Sequence, residues 1–127
     1  MSDRELLELA AKAAGIETKI VNSYFCVPAE WALPDKRRRA GDWRIWNPIE
    51  DDSDALRLLV KLGLSVYLQK YEVIVRYAAT RYIDGVKCII ERADPDPYVA
   101  IRRAITRAAA EIGKEIGMTG ALTLTMG

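Results

Sequence analysis

Asp84-Gly85-Val86-Lys87-Cys88-Ile89-Ile90, running through Glu91-Arg92-Ala93 into Asp94-Pro95-Asp96-Pro97, places a turn, a strand and a helix start in one short stretch. Aspartate and glycine tolerate the positive backbone angles of a tight turn, so Asp84-Gly85 predicts a hairpin and antiparallel pairing. The strand after it carries Val86, Cys88 and Ile90 on one face. Two strands precede the turn: Leu64, Val66 and Leu68 alternate in the first, and Val73, Val75 and Tyr77 in the second. Ile74 and Ile89 fall on the other face, which predicts partial cover of both faces, by helices or by another subunit. Downstream, Asp96 is a helix cap and Pro97 suits the first helical position, where no amide hydrogen is needed. Ile101, Ala104, Ile105, Ala108, Ile112 and Ile116 recur at three and four, so a helix is expected from Pro97 to about Ile116. Arg103, Arg107 and Lys114 mark its polar side, with Glu111 four beyond Arg107 for a local pair. The expectation is an α+β fold: an antiparallel sheet of three to five strands with helices packed on it.

Working outward, Ser2 and Glu5 form a capping box ahead of a helix from Asp3 to Ala14, and Gly15 suits its left-handed C-terminus. Its core stripe is expected at Leu6, Leu9, Ala10 and Ala13. Thr18 to Val27 is rich in β-branched and aromatic residues and reads as one strand. Residues 28–42 combine Pro28, Pro34 and Gly41 with a charge run and no periodicity, as in a long exposed loop. Loops of this length in compact domains are functional or disordered. Trp43-Arg44-Ile45-Trp46 reads as a short strand, and Asn47-Pro48 turns the chain into a second helix, from about Ser53 to Leu62, ended by Gly63. Asp51, Asp52 and Asp54 suit its positive start. Leu56, Leu59, Val60 and Leu62 are expected on its buried side. In the tail, 118–127, Ala121-Leu122-Thr123-Leu124-Thr125 alternates as a possible edge strand. All of this fits one domain over 1–127.

Composition bounds the chemistry. The chain has 127 residues, half of them hydrophobic and 29% charged, with a net charge of +1, so a polyanion would have to bind a local patch. No apolar run approaches the ~20 residues of a membrane-spanning helix. The acidic, amphipathic start is unlike a signal peptide, so a cytoplasmic location is expected. There is no histidine, and Cys26 and Cys88 lie far apart, which argues against a zinc site and against Ser-His or Cys-His nucleophile pairs. No metal, cofactor or catalytic residue is expected.

Several segments together resemble the phage ABA sandwich domain family: Arg4-Glu5-Leu6-Leu7-Glu8-Leu9-Ala10-Ala11-Lys12-Ala13-Ala14-Gly15; Trp46-Asn47-Pro48 with Asp51-Asp52-Ser53-Asp54-Ala55-Leu56-Arg57-Leu58 and Val60-Lys61-Leu62; and Asp94-Pro95-Asp96-Pro97-Tyr98 with Arg102-Arg103-Ala104-Ile105 and Arg107-Ala108-Ala109-Ala110-Glu111-Ile112-Gly113. They span most of the chain in the family's order. The segment around Lys36-Arg37-Arg38-Arg39 and the region from Gln69 to Tyr82 depart from it. The resemblance implies a phage or prophage origin and a three-layer α/β/α arrangement around an antiparallel sheet, and it implies no reaction.

Lys36-Arg37-Arg38-Arg39, flanked by Trp31, Trp43 and Trp46, offers cations for phosphates and rings for bases. The same residues equally suit a protein-binding arm, since arginine and tryptophan dominate interface hot spots. The plain alternative is a solvated loop whose tryptophans fold back on the core. Asp51-Asp52-Ser53-Asp54 has the oxygens for a hard cation, but helix capping explains these acids, and the prolines and the helix start explain Asp94 and Asp96. Cys26 and Cys88 read as buried thiols. Tyr67, Tyr71, Tyr77 and Tyr82 either rim the core or line a pocket or subunit contact. The expected function is binding without catalysis: an accessory protein that inhibits a host component, such as one of antiviral defence, through the basic loop and the tyrosine-rich sheet. A second reading is a nucleotide binder or sponge in which Tyr67, Tyr77, Arg76 and Arg81 enclose the ligand, at the subunit interface if the chain forms a homodimer. A third is nucleic-acid binding by the basic loop.

Overall fold

The computed structural model describes residues 1–32, 42–78 and 86–126. Helix α1 (Asp3–Ala14) starts where the Ser2 hydroxyl accepts the Glu5 amide at 3.2 Å and ends on Gly15 at φ +71°. Its buried residues are Leu6, Leu7, Ala10, Ala11 and Ala14, a stripe rotated from the expected one, because a large helix flanks it on a side the local pattern does not reveal.

The stretch expected as one strand is a hairpin. β1 (Lys19–Val21) pairs antiparallel with β2 (Tyr24–Pro28), Val21 opposite Tyr24. Asn22 and Ser23 sit between them at φ +49° and +69°. Both signs are those of the two-residue turn that matches strand twist, and asparagine tolerates the first of them. One helical turn, α2 (Ala29–Ala32), follows where loop was expected, and β3 (Trp43–Ile45) returns antiparallel to β2.

Helix α3 (Asp52–Leu62) ends on Gly63 at φ +64° and leads into the second sheet, β4 (Ser65–Leu68), β5 (Glu72–Ala78) and β6 (Val86–Arg92), ordered β4-β5-β6 and antiparallel throughout. Asp84-Gly85 lies outside the described residues. The register opposes Val75 to Ile89 and Val73 to Glu91. Directly opposed residues share a face, so Ile89 and Glu91 join the inner face, and Cys88 and Ile90 lie on the outer one. This inverts the expected phase of β6. Glu91 and Lys87 are on the helix side because they have ionic partners there: Arg107 Nη1 lies 2.7 Å from Glu91 Oε1, and Lys87 Nζ 3.1 Å from Glu115 Oε1. Arg107 therefore bonds across to the sheet, while Glu111 pairs with Lys114.

Helix α4 (Pro97–Met126) opens as expected, the Asp96 carboxylate accepting the Tyr98 amide at 2.9 Å. It runs through the tail, so residues 118–126 are helix and not an edge strand; the five-residue alternation was too short to outweigh an established helix that propagates by one bond per residue. α4 packs on α1, α3, β5 and β6. Ala104, Ile105, Thr106, Ala108, Ala109 and Ala110 are all buried, so it is enclosed on most sides, and Thr106 satisfies its hydroxyl on the Arg102 carbonyl at 2.8 Å. One apolar cluster runs from Leu6 of α1 through Phe25, Val27 and Trp46 to Val73, Val75 and Ala110. The fold is thus α+β, with helices packed on antiparallel sheets. No described helix is long and apolar enough to cross a membrane.

Candidate binding groove beside Trp31

The first sheet turns Phe25 and Val27 inward together with Arg44, which stands opposite Val27. Trp46, one step beyond β3, is fully buried, its ring centroid 6.1 Å from that of Phe25 and 5.9 Å from that of Trp31. The Trp31 ring meets it edge-on, at 89°. The three rings form a contiguous path from the core to the half-buried Trp31. Among the described residues Trp46 Nε1 has no hydrogen-bond partner.

Trp31 walls a groove of about 490 Å³ whose other side is α3: Ser53, Leu56, Arg57, Val60 and Lys61. Those positions repeat at three and four and therefore share one helical face. The inward stripe is Ala55, Leu58, Leu59 and Leu62, which leaves Leu56 60% and Val60 69% exposed. Both were expected to be buried. They are apolar but lie away from the stripe that meets the core. Arg57 and Lys61 have no acidic partner among the described residues.

Asp54 ties α3, one side of the groove, to β3 and the turn that follows it. It is only 2% exposed, and its carboxylate accepts the Asn47 amide at 2.9 Å and lies 3.3 Å from Arg44 Nη2. Burial raises its pKa to about 6, Asp51 adds to the rise, and the Asn47 amide and Arg44 oppose it. The acidic run is therefore not a set of caps: Asp51 makes no side-chain cap bond, Asp52 pairs with Arg102 at 2.7 Å, and Asp54 ties β3 to α3. Asp54 is the residue sequence reasoning missed. Arg44, ten residues before it, was the one available signal.

The other predicted residues are dispersed. Lys36, Arg37, Arg38, Arg39 and Arg81 lie outside the described residues. The segment carrying the first four leaves the described chain at Ala32, one residue past Trp31, and rejoins it at Asp42, whose carbonyl accepts the Ala29 amide at 2.8 Å. Trp43 shares a face with Pro28, opposite that of Val27, and Lys19 Nζ lies 5.4 Å over its ring. Tyr67 and Arg76 meet on the outer face of the second sheet, the guanidinium 5.7 Å over the ring. Tyr77 is buried on the inner face, so it does not join them. Cys26 is buried as expected, whereas Cys88 is exposed on the outer face. Compared with family models, curated proteins and solved structures, the chain matches none.

Proposed function

We propose that this is a binding protein without catalytic activity, and that the groove between Trp31 and α3 docks an acidic, apolar segment of a partner protein. The observation that carries this is the pairing of an aromatic wall, Trp31 against the buried Trp46, with Leu56 and Val60, 60% and 69% exposed, beside two cations that lack acidic partners among the described residues. Apolar anchors in a groove supply affinity, and a rim of one charge selects a partner of the other. In the phage setting that the resemblance implies, the partner is a host protein in the cytoplasm, and occupying it inhibits a defence component.

The test is co-purification from the bacterial host with wild type, Val60→Glu and the double variant Arg57→Glu/Lys61→Glu. A partner that binds through an acidic surface, is retained by wild type and is lost at least tenfold by both variants supports the reading. Equal capture by all three, or capture of nucleic acid whose affinity falls steeply with salt, overturns it.

A further inference from the structure

A second surface shares Leu56 with the first groove and is otherwise lined by different residues. β4 is an edge: among the described residues β5 is its only strand neighbour. Its sequence, Ser65-Val66-Tyr67-Leu68, has none of the lysines or prolines that usually blunt an exposed edge. Beneath it lies an apolar groove of about 380 Å³ between α3 and α4, lined by Leu59, Val66, Leu68, Tyr98, Ile101 and Ile105. Leu68 and Tyr98 are 66% and 65% exposed there, and on the sheet's outer face Tyr67 is 45% and Ile90 54% exposed.

An occupant has to supply an antiparallel strand with apolar side chains toward the helices and an aromatic one on the outer face. β4 itself meets that description. We infer that two copies of this chain pair through β4 about a two-fold axis, joining two three-stranded sheets into one of six. In a flat continuous sheet directly opposed residues share a face, so a symmetric register centres on Val66 or on Tyr67. Centring on Val66 sets Leu68 against Leu64, which is already buried within its own chain. Centring on Tyr67 sets Leu68 of each copy against Val66 of the other, over the groove, and stacks the two Tyr67 rings on the outer face. That register pairs residues 65–69, none of them charged, so no like charges meet along the strand. Such an interface is isologous and closes at two copies. It does not depend on the Trp31 groove.

Sedimentation or light scattering should give twice the chain mass for wild type at tens of micromolar. Leu68→Lys, at a position exposed in the single chain, should halve that mass with an unchanged far-UV circular dichroism spectrum. In a Cys88→Ser background, Tyr67→Cys should cross-link into covalent dimers on mild oxidation and Ser65→Cys should not, because the two copies of residue 65 lie too far apart for a disulfide. The inference is overturned by a monomeric wild type, including one whose edge instead takes up an extended peptide. A dimer indifferent to Leu68→Lys, or the opposite cross-linking pattern, also overturns it.

Discussion

Asp54 shows how one buried carboxylate reports on the junction between β3 and α3. Its pKa stands at about 6 against an ordinary 3.8. Between those values the folded chain holds a proton that the unfolded chain has released, so protons favour folding there. The contribution is fully present below about pH 4 and is lost as pH rises through 6, by on the order of 3 kcal/mol. Asp54→Asn keeps an oxygen for the Asn47 amide and removes the titration. Urea denaturation from pH 4 to pH 7 should show wild-type stability falling relative to that variant by roughly this amount. A difference that stays flat across the range would show that the carboxylate is not held in the buried state described. None of this was legible in the sequence, where Asp51, Asp52 and Asp54 look alike. Three acids at one helix start have the same local chemistry; Arg44 on the adjacent strand reaches both Asp51, at 4.0 Å, and Asp54, at 3.3 Å, and burial together with the Asn47 amide singles out Asp54. Cys88 was misread for a related reason: alternation shows that residues on a strand take turns, and the partner across the sheet decides which set faces in.

At the scale of elements, what could be read was local and what could not was relational. The Ser2 cap, Gly15, Gly63 and the Asp96-Pro97 start each satisfy backbone groups within a few residues, and all are present. The Asn22-Ser23 turn had an equally local signal, but the β-branched and aromatic residues around it masked it as one strand. The inward stripes of α1 and α3 depended on where α4 lies. Gly113 shows how close that packing is: a Cβ built there would fall within the van der Waals envelope of the Leu9 carbonyl on α1. A backbone oxygen in a helix cannot rotate away. Gly113→Ala gains up to about 1 kcal/mol of helix propensity, but overpacking against backbone costs about 1–3 kcal/mol, and the contact should win. The expected result is a Tm several degrees lower with the far-UV spectrum retained. A raised Tm would mean that α1 and α4 slide apart at no cost.

At the scale of the molecule, the question is whether two sheets make two folding units or one. The first sheet touches the helices through few but large side chains, Phe25, Val27 and Trp46, and these belong to the same buried cluster as Val73 and Val75 of the second. Further ties are polar: Arg44 to Asp54 joins the first sheet to α3, and Arg102, bonding the Ile49 carbonyl at 2.9 Å as well as Asp52, joins α4 to the same corner. Removing the first sheet would expose the fully buried face of Trp46 and strand the Asp54 carboxylate without its cation, so it should not melt ahead of the rest. The chain carries its own reporters for this. Trp31, Trp43 and Trp46 are its three tryptophans, all in or beside the first sheet, so their fluorescence follows that sheet, α2 and the core they pack on, while circular dichroism at 222 nm follows α1, α3 and α4. The two signals should trace one coincident urea transition, as cooperative domains of this size do, with a slope of about 1–3 kcal/mol/M. If the tryptophan signal shifts at distinctly lower urea, the first sheet and α2 are a separable unit. Trp31 could then not serve as the fixed wall against which a partner docks.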